Sequence, residues 1–535
     1  MSRFTGTLIQ VHYHDRPGGV ATVMGHFSAA FSGLCGNSPG KRLVLCRKTG
    51  ASGVTWQGTR IIDIKECDYR LFGSRTAFLS TRDRLAASLA RAIASADTAR
   101  PVYVVGHNLT LGKNCALSSA FALCARRMVG RSGRIRFFSV IHDFAEEGRA
   151  ALMAQIRFIR DLGIDIDNDL YPLLPNFHFV ALNRRNRSLL NRAGFSAAFI
   201  PTPMGIVEIK KTHPASGRSA MLKSLYAIAR KEKIFISRRL PVVLYPSRII
   251  SRKNPLEAIL LGQCVFHANL LLGSSGRSRP DRLLTDACKR LCAAHRLPIV
   301  FDCGRISRRP AQGTDEYSLL YHVADVCLST SVAEGFGYGL HEPRMHGKAV
   351  IGRLPLGIGE ESAPDGSWLY KRLLIPCAWI DVEALKRKYH RTMLRCFGDE
   401  PLLREYGFFS KKFDACFIRG GGIDYGCLDA AGQYEVLAGL LQNPEMIEKW
   451  RKAFPCQFAA IQGAFSMARQ GMSRRGALNR RRPVAALSQE SFVNALGRCL
   501  SQKARPAGSR PDRALVRRYF CSLKRFRLLQ SPDIP

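Results

Sequence analysis

Short apolar, β-branched runs recur along the chain, each closed by glycine or small polar residues and followed by a stretch with helical spacing. Such runs at 7–13, 42–46, 102–106, 136–141 and 177–182 predict strands. Val20, Val23, Met24, Phe27 and Phe31 lie on one helical face, and a second helix is expected across 85–93. Strands alternating with helices predict a parallel, doubly wound α/β sheet. Prolines at 201 and 203 stop the last run, so a first Rossmann-like domain is expected over 1–205. A linker and basic lead-in helix over 206–240 come next. Strand-like runs at 242–247, 269–272, 299–301, 324–328 and 348–352 then predict a second Rossmann-like domain over 241–430. Helical spacing covers 381–395 and 430–450, while Arg419-Gly420-Gly421-Gly422 reads as a flexible loop. A further helical part, 431–472, and a basic tail, 473–535, complete the division.

Composition narrows the class. A chain of 535 residues with 46% hydrophobic positions is too long for one ordinary core and suits two domains. No run reaches the roughly 18–20 apolar residues of a membrane span, and the first ten residues lack the apolar centre of a signal peptide, so a cytoplasmic protein is expected. Seventeen cysteines are scattered without a C-x-x-C pair, which argues against a zinc ribbon and for free buried thiols. The formal charge of +40 has three physical accounts, an anionic membrane face, nucleic acid or anionic substrates, beside a plain arginine-rich coding bias. In the tail, arginines and lysines interleave with Phe520, Leu523, Phe526 and Leu528. That pattern fits either a helix lying on the inner face of a membrane or a solvated helix.

Candidate chemistry sits in loops after strands. From Val332 to Arg344 the chain reads V-A-E-G-F-G-Y-G-L-H-E-P-R, a glycine-rich loop running into a short helix with Glu334 and Glu342 eight positions apart. Gly335, Gly337 and Gly339 permit close backbone approach, and a helix start favours an anion. Carboxylates beside such a site suit a ligand with hydroxyls at one end and phosphate at the other, although a solvated turn with a capping carboxylate would look alike. Arg248 and Lys253 stand five apart in the strand-to-helix loop V-V-L-Y-P-S-R-I-I-S-R-K-N-P, placed to hold a diphosphate; Asn254 is expected as N-cap and Arg252 as a bystander. Near the N-terminus, Gly18 and Gly19 lie between a strand and a helix, a weak phosphate-loop signal. His107 and His142 each follow a strand and so point at the carboxyl edge of the sheet, with Lys113 and Asn114 close to the former in sequence.

The stretch E-G-F-G-Y-G-L-H-E, preceded by A-D-V-C-L-S-T-S, resembles the E-x7-E signature of the family 4 (group 1) retaining glycosyltransferases, and Arg248 with Lys253 match their R-x4-K motif. The resemblance implies a GT-B fold: two Rossmann-like domains facing a cleft, with C-terminal helices, the stretch 434–464 among them, returning to the first domain. It implies that Glu334 contacts the donor sugar, Glu342 the nucleotide ribose, and Gly335, Phe336 and Gly337 the donor. Arg248 and Lys253 would stabilise the departing diphosphate, His142 would face the reaction centre, and Gly18 and Gly19 would lie across from the donor phosphates. His107, Lys113 and Asn114 are acceptor-side candidates. The expected reaction moves a hexosyl group from a UDP- or GDP-linked sugar to a glycan, lipid-linked glycan or small molecule. No cofactor, metal or specific nucleic acid is expected. Two departures are visible: Pro343 follows Glu342, and 353–358 replaces the family's G-G-x-x-E loop. Another GT-B enzyme, such as a nucleotide-sugar epimerase or a phosphorylase, and a basic nucleic-acid-binding protein on an α/β scaffold are the alternatives.

Overall fold

Seven strands of the N-terminal half pair side by side and all in parallel in the computed structural model, which describes residues 5–36, 40–50, 53–96, 100–131, 133–201, 215–304, 316–358, 367–398, 400–470, 488–501 and 511–530. They are β1 (Thr7–His14), β2 (Lys41–Arg47), β3 (Arg60–Asp63), β4 (Val102–His107), β5 (Ile135–Ile141), β6 (Phe177–Ala181) and β7 (Ala197–Phe199). Their order across the sheet is β3-β2-β1-β4-β5-β6-β7, so it reverses between β1 and β4. Strand β3 lacks a fully buried residue, which is why its apolar signal was too weak to register in sequence.

This sheet belongs to a unit comprising 1–205, 393–400 and 483–522. Phe27 and Phe31 of the helix Gly19–Cys35 pack with Leu8, Tyr103, Val105 and Val140 on one face of the sheet. The helix Gln489–Ser501 completes that cluster with Phe492, Leu496 and Leu500. Phe492 meets the Phe27 ring edge-on at 5.3 Å, a geometry aromatic pairs favour.

The second unit comprises 206–392, 401–482 and 523–535. Its parallel sheet contains β8 (Val242–Tyr245), β9 (Asn269–Leu272), β10 (Ile299–Val300), β11 (Val326–Ser329), β12 (Val350–Arg353) and β13 (Ser367–Tyr370), in the order β10-β9-β8-β11-β12-β13. A smaller antiparallel sheet joins β14 (Leu374–Pro376), β15 (Ile418–Arg419) and β16 (Gly422–Asp424). Both central strands of the large sheet are buried throughout. The helices that pack on it contribute Leu225, Leu320, Tyr321 and Leu340 to its core.

Several local expectations change. The glycine run at 420–422 is a tight hairpin between β15 and β16: Arg419 pairs with Gly422, and Gly420 (φ 52°) and Gly421 (φ 73°) take the left-handed conformation of a two-residue turn. The helix expected over 430–450 is two, Ala430–Gln442 and Pro444–Ala453, because Asn443 caps the second and Pro444 starts it. In the tail, the helix Arg513–Phe520 ends before the aromatic stretch does, and Phe520, Leu523, Phe526 and Leu528 are all buried. These four side chains therefore pack into the fold and are not the exposed apolar face of a surface helix. The arginines at 474–482 lie outside the described residues. Among the described residues no helix is long and apolar enough to cross a membrane. All 17 cysteines are free thiols, as expected, and 13 are buried.

Candidate functional site

In the second unit the strand order reverses between β8 and β11, which pair directly through Val326 with Val243 and Cys327 with Leu244. At such a reversal the loops leaving the two central strands turn to opposite sides and open a crevice beyond their carboxyl ends. The loop after β8 carries Arg248 and Lys253, and the loop after β11 carries Glu334. Strand topology, not sequence proximity, therefore brings the basic and acidic motifs together.

Lys253 and Glu334 meet as an ion pair between Nζ and Oε1, with side-chain exposures of 14% and 7%. Arg252 faces the other oxygen of the same carboxylate at 3.6 Å and donates to the Ala333 carbonyl at 3.2 Å. Arg252 is thus a member of the cluster and not the bystander expected. Burial pushes the Glu334 carboxyl up, but Lys253 and then Arg252 outweigh it and hold it below the usual carboxylate range. Burial, joined by Arg252 and Arg248, lowers the Lys253 ammonium against the pull of Glu334. Arg248 itself is exposed at the mouth of the loop.

The backbone fixes this arrangement. Tyr245 Oη donates to the Lys253 carbonyl at 2.6 Å, and Thr330 Oγ1 donates to the carbonyls of Lys253 and Asn254. Val332 N–H donates to Arg252 O at 2.9 Å. Asn254 stands at the start of the helix Pro255–Leu260 but makes no cap: it is left-handed (φ 59°), and its Nδ2 donates to Glu257. The loop at 354–358, whose sequence departs from the family pattern, pairs with the stretch that carries Glu334. Leu356 bridges Ala333 in parallel, donating to Val332 O and accepting from Glu334 N–H.

Beyond Glu334 the chain passes Gly335 and Phe336 and turns at Gly337 into the helix Tyr338–Met345. Gly337 has φ 87°, a conformation that favours glycine, and a Cβ there would lie 2.4 Å from the end of the Ile358 side chain, which would have to shift. The Phe336 ring lies 4.9 Å from Tyr338 and 5.2 Å from His341. Glu342 occupies the second turn, next to Pro343, and its charge adds to burial in raising the Tyr338 hydroxyl and the Cys327 thiol.

One group escaped the sequence reading altogether. Arg353 ends β12 and is not part of the following loop; its guanidinium is 3% exposed and grips two carboxylates. Nε and Nη2 donate to Glu257 at 2.9 and 2.7 Å, and Nη1 and Nη2 donate to Asp424 at 2.8 and 2.7 Å. Tyr370 Oη adds a 2.6 Å bond to Glu257. Glu257 lies in the first turn of the helix that follows Lys253, so the network anchors the basic loop from behind. A cation ending the apolar run Val350-Ile351-Gly352 was the available clue.

In the first unit the reversal lies between β1 and β4. Gly18 precedes the helix Gly19–Cys35, whose start carries no side-chain cap. His142 directly follows β5; burial lowers it to about 4, only partly offset by Asp143, and its Nε2 is buried with no partner among the described residues. Its ring lies 5.8 Å from His107. His107 is fully buried, its Nε2 donating to Gln10 Oε1 at 2.8 Å, and it packs edge-on against Phe27. Asn114 is equally buried and occupied by the fold: Oδ1 caps the helix Cys115–Arg127 at Leu117 N–H, and Nδ2 donates to the carbonyls of Glu66 and Asp68. The Lys113 ammonium lies 4.1 Å from the centre of the Tyr69 ring.

No family model matches the chain. Among curated proteins it is 24% identical over 394 residues to a mannosylglucosyl-3-phosphoglycerate synthase of Petrotoga mobilis, covering 71% of this chain and 72% of that protein. Among solved structures it is similar to a sucrose-phosphate synthase from Thermosynechococcus elongatus (14% identity, 85% of this chain and 99% of that one, TM-score 0.44). It is also similar to HepE of Anabaena in complex with UDP and glucose (11% identity, 92% and 99%, TM-score 0.47). The two doubly wound parallel sheets are those of the GT-B fold that the resemblance to family 4 glycosyltransferases implies, and Arg248, Lys253 and Glu334 lie on loops at one strand reversal of the second.

Proposed function

We propose that this protein is a retaining, metal-independent glycosyltransferase that moves a hexosyl group from a UDP- or GDP-linked sugar to an acceptor hydroxyl. The observation that carries this reading is the meeting of Lys253 and Arg252 with Glu334 on loops leaving β8 and β11. Cations and a carboxylate held together at a strand reversal suit a ligand that is phosphate at one end and hydroxyl-rich at the other. In the reaction the sugar C1–O bond to the diphosphate breaks, the acceptor oxygen bonds to C1, and the hydroxyl proton passes to the departing diphosphate. Negative charge builds on that leaving group, so cations preorganised at the phosphates lower the barrier. Arg248 and Lys253 take this role, Arg252 joins them, Glu334 orients the sugar and Glu342 the ribose. His142, lowered to about 4, acts as a neutral imidazole that hydrogen-bonds near the anomeric centre.

The curated relative is named for a phosphoglycerate-linked sugar product, which favours a small anionic acceptor over a lipid-linked glycan. The test is release of UDP or GDP from a panel of donors, with and without a chelator, comparing wild type with Glu334→Ala and Arg248→Ala. Turnover that survives chelation and falls about a hundredfold or more in both variants supports the reading. Absence of turnover with every donor, together with tight salt-sensitive RNA binding, would favour the nucleic-acid alternative.

A further inference from the structure

The loops leaving β1, β3 and β4 build a second cluster in the first unit, around the acceptor-side candidate Lys113. Tyr69, after β3, is 44% exposed and stands on edge against Tyr13 (5.2 Å) and His14 (4.8 Å) at the end of β1. The Lys113 ammonium lies 4.1 Å and the Arg16 guanidinium 5.9 Å from the centre of its ring. Arg70 follows it on the exposed surface. The fold holds this group in place: Arg70 N–H donates to the Lys113 carbonyl at 3.0 Å, and Asn114, next in the chain, donates to the Asp68 carbonyl at 2.8 Å. Asp68 is the one acidic residue of the cluster, 2.6 Å from Arg16.

Two cations, Arg16 and Lys113, converge here against one carboxylate, at the edge where β1 and β4 reverse the strand order and a ligand crevice is expected. Burial is the main reason that His14 falls to about 4, and Arg16 and Lys113 push it the same way, so both charges reach the same ring. His12, deeper in the strand, also feels Lys113. A neutral, aromatic floor with a cationic rim repels cations and leaves a small oxyanion well solvated by protein donors.

We infer that Arg16, Lys113 and Tyr69 form a subsite for the acceptor's anionic group, a phosphate or a carboxylate. The acceptor role rests on the glycosyltransferase reading; binding of the anion does not. Tyr69 presents its exposed face to the carbon skeleton beside the anion, and Arg16 leaves Asp68 to meet the incoming oxygens.

The test titrates the full chain with glycerol 3-phosphate, glycerate and glycerol in separate arms, and with UDP and GDP on the same preparation. Wild type is expected to bind one of the two anions and not glycerol, and the preferred anion tells phosphate from carboxylate. Arg16→Gln and Lys113→Gln should each weaken that binding about tenfold while nucleotide affinity stays level. Asp68→Asn should tighten it, a gain that a merely structural role would not produce. Lys113→Gln leaves the Arg16–Asp68 pair intact and so remains informative where Arg16→Gln disturbs the loop. Equal binding by wild type and both cation variants, or no anion binding by wild type, overturns the assignment. Failure of wild type to bind UDP or GDP with anion binding retained overturns the glycosyltransferase reading instead.

Discussion

Lys253 and Glu334, 81 positions apart, hold each other in a nearly buried ion pair at the point where the second sheet reverses its strand order. Removing either partner leaves a charge with little water to compensate it. Lys253→Met or Glu334→Leu should each cost roughly 3–5 kcal/mol of stability, and the double variant less than the sum. A double-mutant cycle in urea checks this. The carboxyl of Glu334 sits below its ordinary range, so its stabilising contribution is present above the unfolded carboxylate value and is lost as pH falls through the folded one. Acid unfolding of Glu334→Gln should lack that component.

Around Arg353 the two carboxylates are unequal. Burial raises both; Arg353 overcomes it at Asp424, which ends lowered, but not at Glu257, which ends raised. Asp424 is therefore the firmer ionic partner. Asp424→Asn should destabilise more than Glu257→Gln, and Arg353→Met should cost roughly 3–5 kcal/mol, measured by thermal or urea unfolding. The two carboxylates also act in opposite directions with pH. Asp424 loses its contribution as pH falls through its folded value; Glu257 loses its own as pH rises through its raised one.

Gly352 shows how little room separates β11 from β12. A Cβ there would lie 1.8 Å from the Ser329 carbonyl oxygen, at a backbone φ of 146°. Gly352→Ala should cost well over about 1 kcal/mol in urea unfolding, because the glycine conformation is occupied by necessity.

At the β15–β16 hairpin the sign reverses. Gly420→Asn, which tolerates the left-handed turn, should leave stability unchanged or raise it by a few tenths of a kcal/mol, roughly, whereas Gly420→Val should lower it. Thermal unfolding of the two variants side by side decides the matter.

His142 is lowered to about 4, so the folded protein rejects a proton that the unfolded chain accepts. Stability should be full above the unfolded value of about 6.5 and decline as pH falls from there toward 4. His142→Gln should shrink that decline by one proton's worth, read from unfolding free energies across the interval.

Much of this was legible in the chain. The runs 102–106 and 136–141 announced β4 and β5 within a residue, since central parallel strands are apolar on both faces. That Glu334, Arg248 and Lys253 stand on loops at strand ends was legible from the apolar runs before them. Arg252 was not, because its neighbour Lys253 already explained the motif and only the turn Ser251–Lys253 shows that both side chains reach Glu334. Arg353 with Asp424 was illegible for a different reason: the pairing spans 71 positions and depends on how the small antiparallel sheet abuts β12. Asn114 misled in the other direction. A polar residue after a strand reads as a ligand contact until its amide is seen spent on the Glu66–Asp68 turn.

The helix Gln489–Ser501 supplies Phe492, Leu496 and Leu500 to a core whose other members lie before residue 201. A ribosome must therefore synthesise the chain through residue 501 before the N-terminal sheet can shut its hydrophobic face. Until then Phe27 and Phe31 lack their cover, and the nascent chain carries a sticky surface that a holding chaperone would recognise.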